Sequence, residues 1–160
     1  MGANEMRSNA EQVKEAAAQL GFDVCGIADA TIPIDPDDRL GAWLTAGYQA
    51  DMAWMAQTCE MRRDPARKLP GVQSVVVVAK SYYVPDPAEA ERGSRVARYA
   101  WGRDYHRALH KPLRQLAAHI EKLDPTTESY CCIDTGPVWE KAWAARAGIG
   151  WIGKNSCVIN

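Results

Sequence analysis

With 160 residues, 47% hydrophobic and 24% charged, the chain has the composition of one soluble globular domain, which excludes disorder and any need for a disulfide or metal staple. Its longest aliphatic run, Val75 to Ala79, is far short of a membrane span, and Met1 to Phe22 holds no signal-type apolar stretch, so a cytoplasmic protein without a membrane partner is expected. The net charge of −1 hides an asymmetry: residues 1–91 carry 8 Lys/Arg against 14 Asp/Glu, and residues 92–160 carry 11 against 6.

Residues 1–9 are expected as a flexible tail and residues 10–160 as one domain. Ala10 to Leu20 reads as a helix with Val13, Ala16, Ala17 and Leu20 on one stripe and Gly21 past its end. Phe22 to Ala28 reads as a strand. Asp37 is placed to cap a helix carrying Leu40, Trp43 and Leu44, and Asp51 to Gln57 as one more short helix. Arg62 to Gly71 reads as a basic loop broken by Pro65 and Pro70. Ser74 to Tyr83 contains four successive valines, the pattern of a strand buried on both faces.

Val84 to Ser94 reads as a mobile loop and Arg95 to Ala100 as a strand. From Asp104 a long helix follows on Leu109, Leu113, Leu116, Ile120 and Leu123, with Pro112 expected to kink or split it. Ser129 to Ile133 reads as a strand. Pro137 is placed to open a helix ending at Gly148, and Ser156 to Ile159 begins as a strand. These elements predict an α+β fold, a mixed β-sheet covered by helices.

Within residues 92–114 seven Lys/Arg stand with one acid, Asp104, which favours phosphate, nucleic acid or a carboxylate-bearing cofactor; the plain alternative is a solvated helix face. Cys25, Cys59, Cys131, Cys132 and Cys157 form no C-x-x-C pair, so buried free thiols are expected and a metal centre is not. Gly148-Ile149-Gly150-Trp151-Ile152-Gly153 has G-x-G-x-x-G spacing. It follows a helix and precedes a strand, the reverse of what dinucleotide binding needs, so it reads as a turn or a close backbone approach. His106 and His110 have metal-ligand spacing, but no third ligand stands near and Arg107 occupies the place of a general-base Glu. Six tryptophans serve equally well for a core or for a pocket holding a planar ligand. Asp134 ends a strand and precedes Thr135-Gly136-Pro137; it is either a helix cap or a reacting carboxyl.

Three stretches together resemble epoxyqueuosine reductase. They are Arg98-Tyr99-Ala100-Trp101-Gly102-Arg103-Asp104-Tyr105-His106, the run from Asp134-Thr135-Gly136-Pro137-Val138-Trp139-Glu140 to Gly148, and Gly150-Trp151-Ile152-Gly153-Lys154-Asn155. Met52-Ala53-Trp54-Met55 and Leu69-Pro70-Gly71 agree in order and rough spacing, so the likeness covers nearly the whole chain. Gly136 stands where the family more often has alanine.

The resemblance implies a cobalamin-binding domain of the kind found in epoxyqueuosine reductases and reductive dehalogenases. The implied reaction reduces epoxyqueuosine in a tRNA anticodon loop to queuosine. Asp134 is implied as proton donor, with Arg98, Tyr99, Asp104, Tyr105, His106, Trp151, Gly153, Lys154 and Asn155 around the cobalamin. The family's [4Fe–4S] clusters, fed by an external electron donor, belong to a domain after Asn160, so the chain alone is expected to be inactive. A non-catalytic cobalamin-handling module and a flavin-binding reductase domain are the alternatives.

Overall fold

The computed structural model describes residues 8–83 and 96–160. Most of the expected tail, the expected loop at 84–94 and the start of the expected strand at Arg95 lie outside the described residues. Contacts group the chain into two compact units, Met1–Val24 with Ala79–Ile133, and Cys25–Val78 with Asp134–Asn160.

In the first unit, α1 (Asn9–Gln19) starts where Ser8 can cap it. The Ser8 hydroxyl accepts from the Glu11 N–H at 3.3 Å, and the Glu11 carboxylate accepts from the Ser8 N–H at 2.8 Å. The Val13, Ala16 and Ala17 stripe is buried, as its spacing predicts. This helix packs on α5 (Tyr105–Leu123), whose buried residues are Leu116 and Ala117. Pro112 sits inside α5 without dividing it. Its ring removes one main-chain hydrogen bond, but the apolar stripe continues on both sides and holds the helix together.

Arg98–Ala100, expected to be extended, is a single 3₁₀ turn. Ser129–Ile133 pairs with no strand among the described residues, so the strand expected there is absent.

In the second unit, β1 (Val24–Asp29) pairs with β2 (Ser74–Ala79). The Asp23 N–H donates to the Ala79 carbonyl and the Ala30 N–H to the Gln73 carbonyl, both at 2.9 Å, so the strands run antiparallel. With only two strands, the valines of β2 are half-buried rather than enclosed on both faces. Helix α2 (Arg39–Thr45) is capped by Asp38, which accepts from the Gly41 N–H, and by buried Asp35, which accepts from the Arg39 and Leu40 N–H groups. Asp37, the expected cap, instead forms a surface ion pair with Arg39.

Helices α3 (Ala53–Gln57) and α4 (Cys59–Arg63) follow, so helix replaces the start of the expected basic loop. Asp64 then caps a 3₁₀ turn at Pro65–Arg67. Helix α6 (Glu140–Arg146) begins later than Pro137 predicts and leads to the antiparallel hairpin of β3 (Trp151–Ile152) and β4 (Val158–Ile159). Among the described residues the architecture is therefore helices with two two-stranded antiparallel sheets, not one helix-covered mixed sheet. The strand expected to begin at Ser156 is β4, which closes on β3.

Trp143, 2% exposed, is the centre of this unit's core, with Ala28, Ala30 and half-buried Val75, Val77 and Val138 packed around it. Gly26 lets β1 run against the end of α6: a Cβ there would strike the Ala147 carbonyl oxygen and lie 2.9 Å from the Ala147 Cβ. Because the obstacle is backbone, Gly26→Ala is expected to destabilise by about 1–3 kcal/mol, the usual cost of overpacking. A thermal melt matching that of the parent chain would refute this close packing.

Candidate functional site

Asp134 opens the second segment of its unit and is exposed, with a left-handed φ of 56°. Asp tolerates that conformation better than most side chains. Trp139, rather than Asp134, is the N-cap residue of α6, so the five-residue stretch 134–138 is a loop in its own right. Its ends are fastened. The Asp134 N–H donates to Glu140 Oε1 at 2.7 Å, a short bond to a charged acceptor. Arg62 donates from one terminal nitrogen to the Val138 carbonyl at 3.2 Å and from the other to the Gly136 carbonyl at 3.5 Å. The same guanidinium is oriented by Thr58 Oγ1, which accepts from its Nε at 3.0 Å, and lies 5.2 Å from the Trp54 ring centroid.

Beside this loop is a cleft of about 510 Å³ in the same unit, lined by Asp35, Arg39, Trp139, Glu140, Lys141 and Ile152 among others.

The glycine-rich segment of this unit is a helix stop followed by a hairpin. Gly148 takes φ 74° after α6, and a Cβ on Gly150 would strike the Ile159 carbonyl oxygen. The Gly153 N–H donates to the Cys157 carbonyl at 2.8 Å, and Asn155 Oδ1 accepts from the Cys157 N–H at 3.2 Å. This turn leaves Trp151 61% and Ile152 49% exposed, next to exposed Lys154 and Asn155. An apolar ring beside polar tips is suited to covering a flat ligand.

In the first unit, the expected residues 98–106 form one aromatic and charged cluster. The Arg98 guanidinium lies 5.0 Å from the Tyr83 ring centroid and 5.4 Å from that of Trp101. Tyr99 stands edge-on to Tyr82 and Tyr105, and Tyr105 stacks on His106 with centroids 4.1 Å apart. Asp104 caps α5 by accepting from the His106 N–H at 3.0 Å, while its Oδ1 also lies 2.9 Å from His106 Nδ1. The side-chain bond with His106, reinforced by that backbone bond, holds the Asp104 carboxyl below the usual carboxylate range. His106 Nε2 is buried without a hydrogen-bond partner among the described residues.

His106 is therefore engaged with Asp104. Among the described residues no three His, Cys, Asp or Glu side chains gather as a metal site. None of the five cysteines is in a disulfide; four are half-buried rather than buried, and Cys157 is exposed. Burial raises the Cys131 thiol above its ordinary range.

Sequence reasoning singled out Asp134 but not Arg62 or Glu140, which fasten its loop. Glu140 lies inside the long motif, so its carboxylate was available as a signal. Arg62 was visible only as part of a basic run.

The family model "Epoxyqueuosine reductase QueG, DUF1730" matches residues 62–135. An epoxyqueuosine reductase of Gloeobacter violaceus is 49% identical over 155 residues, covering 96% of this chain and 48% of that protein. A structure of epoxyqueuosine reductase from Bacillus subtilis, with its catalytic aspartate loop swung out of the active site, superposes with a TM-score of 0.75 at 27% identity, covering 94% of this chain and 40% of that one. A crystal structure of epoxyqueuosine reductase with an epoxyqueuosine-modified tRNA-Tyr stem loop gives a TM-score of 0.64 at 27% identity, covering 92% and 40%. The chain spans about half the length of the curated relatives it matches. It is a partial homologue of epoxyqueuosine reductases, matching them over most of its own length.

Proposed function

We propose that this chain is the cobalamin-cupping part of an oxidoreductase that reduces epoxyqueuosine in tRNA to queuosine, with Asp134 as its proton donor. The observation that carries the proposal is the near full-length likeness to epoxyqueuosine reductases, 49% identical over 155 residues in one case. It is joined by the exposed position of Asp134 on a loop fastened at both ends.

The residues fit cobalamin. Tyr99 and Trp151 are each more than half exposed, and His106 keeps a buried ring nitrogen unpartnered among the described residues. The likeness makes Arg98, Tyr99, Asp104, Tyr105 and His106 candidates for cofactor contact, as it does, taken by themselves, Trp151, Gly153, Lys154 and Asn155. Tyrosine and tryptophan faces would cover the corrin plane, while Arg98, Lys154 and Asn155 would meet its amide and phosphate groups. Low-valent cobalt would supply the electrons that open the epoxide.

The protein's own part is acid and orientation. The Asp134 carboxyl gives its proton to the epoxide oxygen as its carbon–oxygen bond breaks, so that no alkoxide is released. The basic run 92–114 would serve either the cofactor's side-chain amides and phosphate or the tRNA backbone. On the family likeness, an external donor would supply electrons through [4Fe–4S] clusters.

Titration of the purified chain with hydroxocobalamin, followed by gel filtration, is expected to give a coloured protein peak. Elution of all the cobalamin apart from the protein would defeat the proposal. A parallel titration with FMN, whose visible spectrum differs, tests the flavin alternative on the same column.

A further inference from the structure

We infer that Glu140 and Arg62 are positioning residues for Asp134: they clamp the 134–138 loop from its two sides and so set where the proton is delivered. The inference rests on Asp134 being the proton donor, but its geometry is independent of that role.

The Asp134 carboxyl is carried on a backbone that an L-residue adopts reluctantly, φ 56°, and such a conformation persists only where neighbours hold it. Glu140, the first residue of α6, supplies one hold by accepting from the Asp134 N–H at 2.7 Å. Arg62 supplies the other. Its planar fork reaches the Val138 carbonyl and, at longer range, the Gly136 carbonyl. A fork free to swing would make a loose clamp, but this one is aimed beforehand by Thr58 and by the Trp54 ring. Pro137 offers no N–H, and the carbonyls on either side of it, Gly136 and Val138, are the two that Arg62 holds. The Met-Ala-Trp-Met segment thereby acquires a purpose: Trp54 is the platform on which Arg62 rests.

Positioning of this kind is worth a large factor, because a displacement of about 1 Å of a reacting group can cost on the order of a hundredfold in rate. The test uses the full-length, cobalamin-loaded enzyme with its clusters. Glu140→Ala and Arg62→Ala are expected to lower kcat by roughly ten- to a hundredfold while KM and the cobalamin spectrum stay unchanged. Glu140→Gln keeps an acceptor oxygen and is expected to recover most of the rate. Arg62→Lys keeps the charge without the fork, is expected to recover little, and stands in for Arg62→Ala should that variant fold poorly.

The deciding measurement is the same pair of changes made in Asp134→Asn. With the acid gone, neither should reduce the residual rate further, since each acts through Asp134. If Asp134→Asn is inactive yet Glu140→Ala and Arg62→Ala keep the parental kcat, or lose it equally in the Asp134→Asn background, the clamp is overturned and the donor role stands. If Asp134→Asn keeps the parental rate, the donor role fails, and amide exchange then judges the clamp alone. Faster exchange of the Asp134 N–H in Glu140→Ala supports it, and unchanged exchange refutes it.

Discussion

Asp134→Asn in the full-length, cobalamin-loaded enzyme is expected to lower the single-turnover rate by on the order of a hundredfold or more, the range for loss of a positioned general acid. The variant isolates the proton. Asparagine matches aspartate in size, keeps a carbonyl acceptor, and is the residue most at ease with the left-handed backbone at this position, φ 56°. The bond from the residue 134 N–H to Glu140 involves no side-chain atom of Asp134, so the loop should keep its hold. Folding and cobalamin binding should therefore match the parent. A rate within a few-fold of the parent would remove Asp134 from the chemistry and leave it a turn residue.

The second large effect is structural. Trp143→Ala is expected to destabilise the protein by about 3–5 kcal/mol, the range for emptying a buried Trp or Phe site. Trp143 is 2% exposed at the centre of its cluster, and its neighbours Ala28 and Ala30 are too small to collapse into the space. Since single domains are typically stable by about 5–15 kcal/mol, this is a large fraction of the total. Arg146 adds to the loss: its guanidinium lies 5.2 Å from the Trp143 centroid while donating to the Ile32 and Pro33 carbonyls at 2.6 and 2.7 Å. Chemical denaturation followed by circular dichroism would measure the effect. A midpoint close to the parental one would mean that the core of this unit lies elsewhere.

Local pattern carried much of the fold. The four-and-three spacing from Leu109 to Leu123 marks α5 because a helix stripe is visible in one dimension, and Pro112 misled only about continuity. The valines of β2 declared a strand but not its surroundings, since burial depends on how many neighbours a strand finds. Asp37 was a plausible cap among three nearby aspartates; the choice of Asp35 and Asp38 depends on a backbone path that spacing does not record. At the candidate site, Asp134 stood out by an expected strand-to-helix junction, but among the described residues no strand precedes it and α6 starts only at Glu140. Arg62 did not stand out, because its partner Val138 is 76 residues away, and long-range pairing leaves no periodic trace.

The anchoring of α6 also limits how far the Asp134 carboxyl can travel. Trp143 in the core and Arg146 on the Ile32 and Pro33 carbonyls hold the helix, and Trp139 stands at its N-cap. Five virtual bonds separate the Cα atoms of Asp134 and Trp139, and fully extended chain gains at most about 3.3–3.6 Å per residue. With both clamps released, Asp134 would remain on a leash of roughly 17 Å from that point. Its carboxyl can move over that span without any rearrangement of the core. Lengthening the leash by inserted residues would dilute the acid over a larger volume, whereas shortening it would restrict the acid's reach.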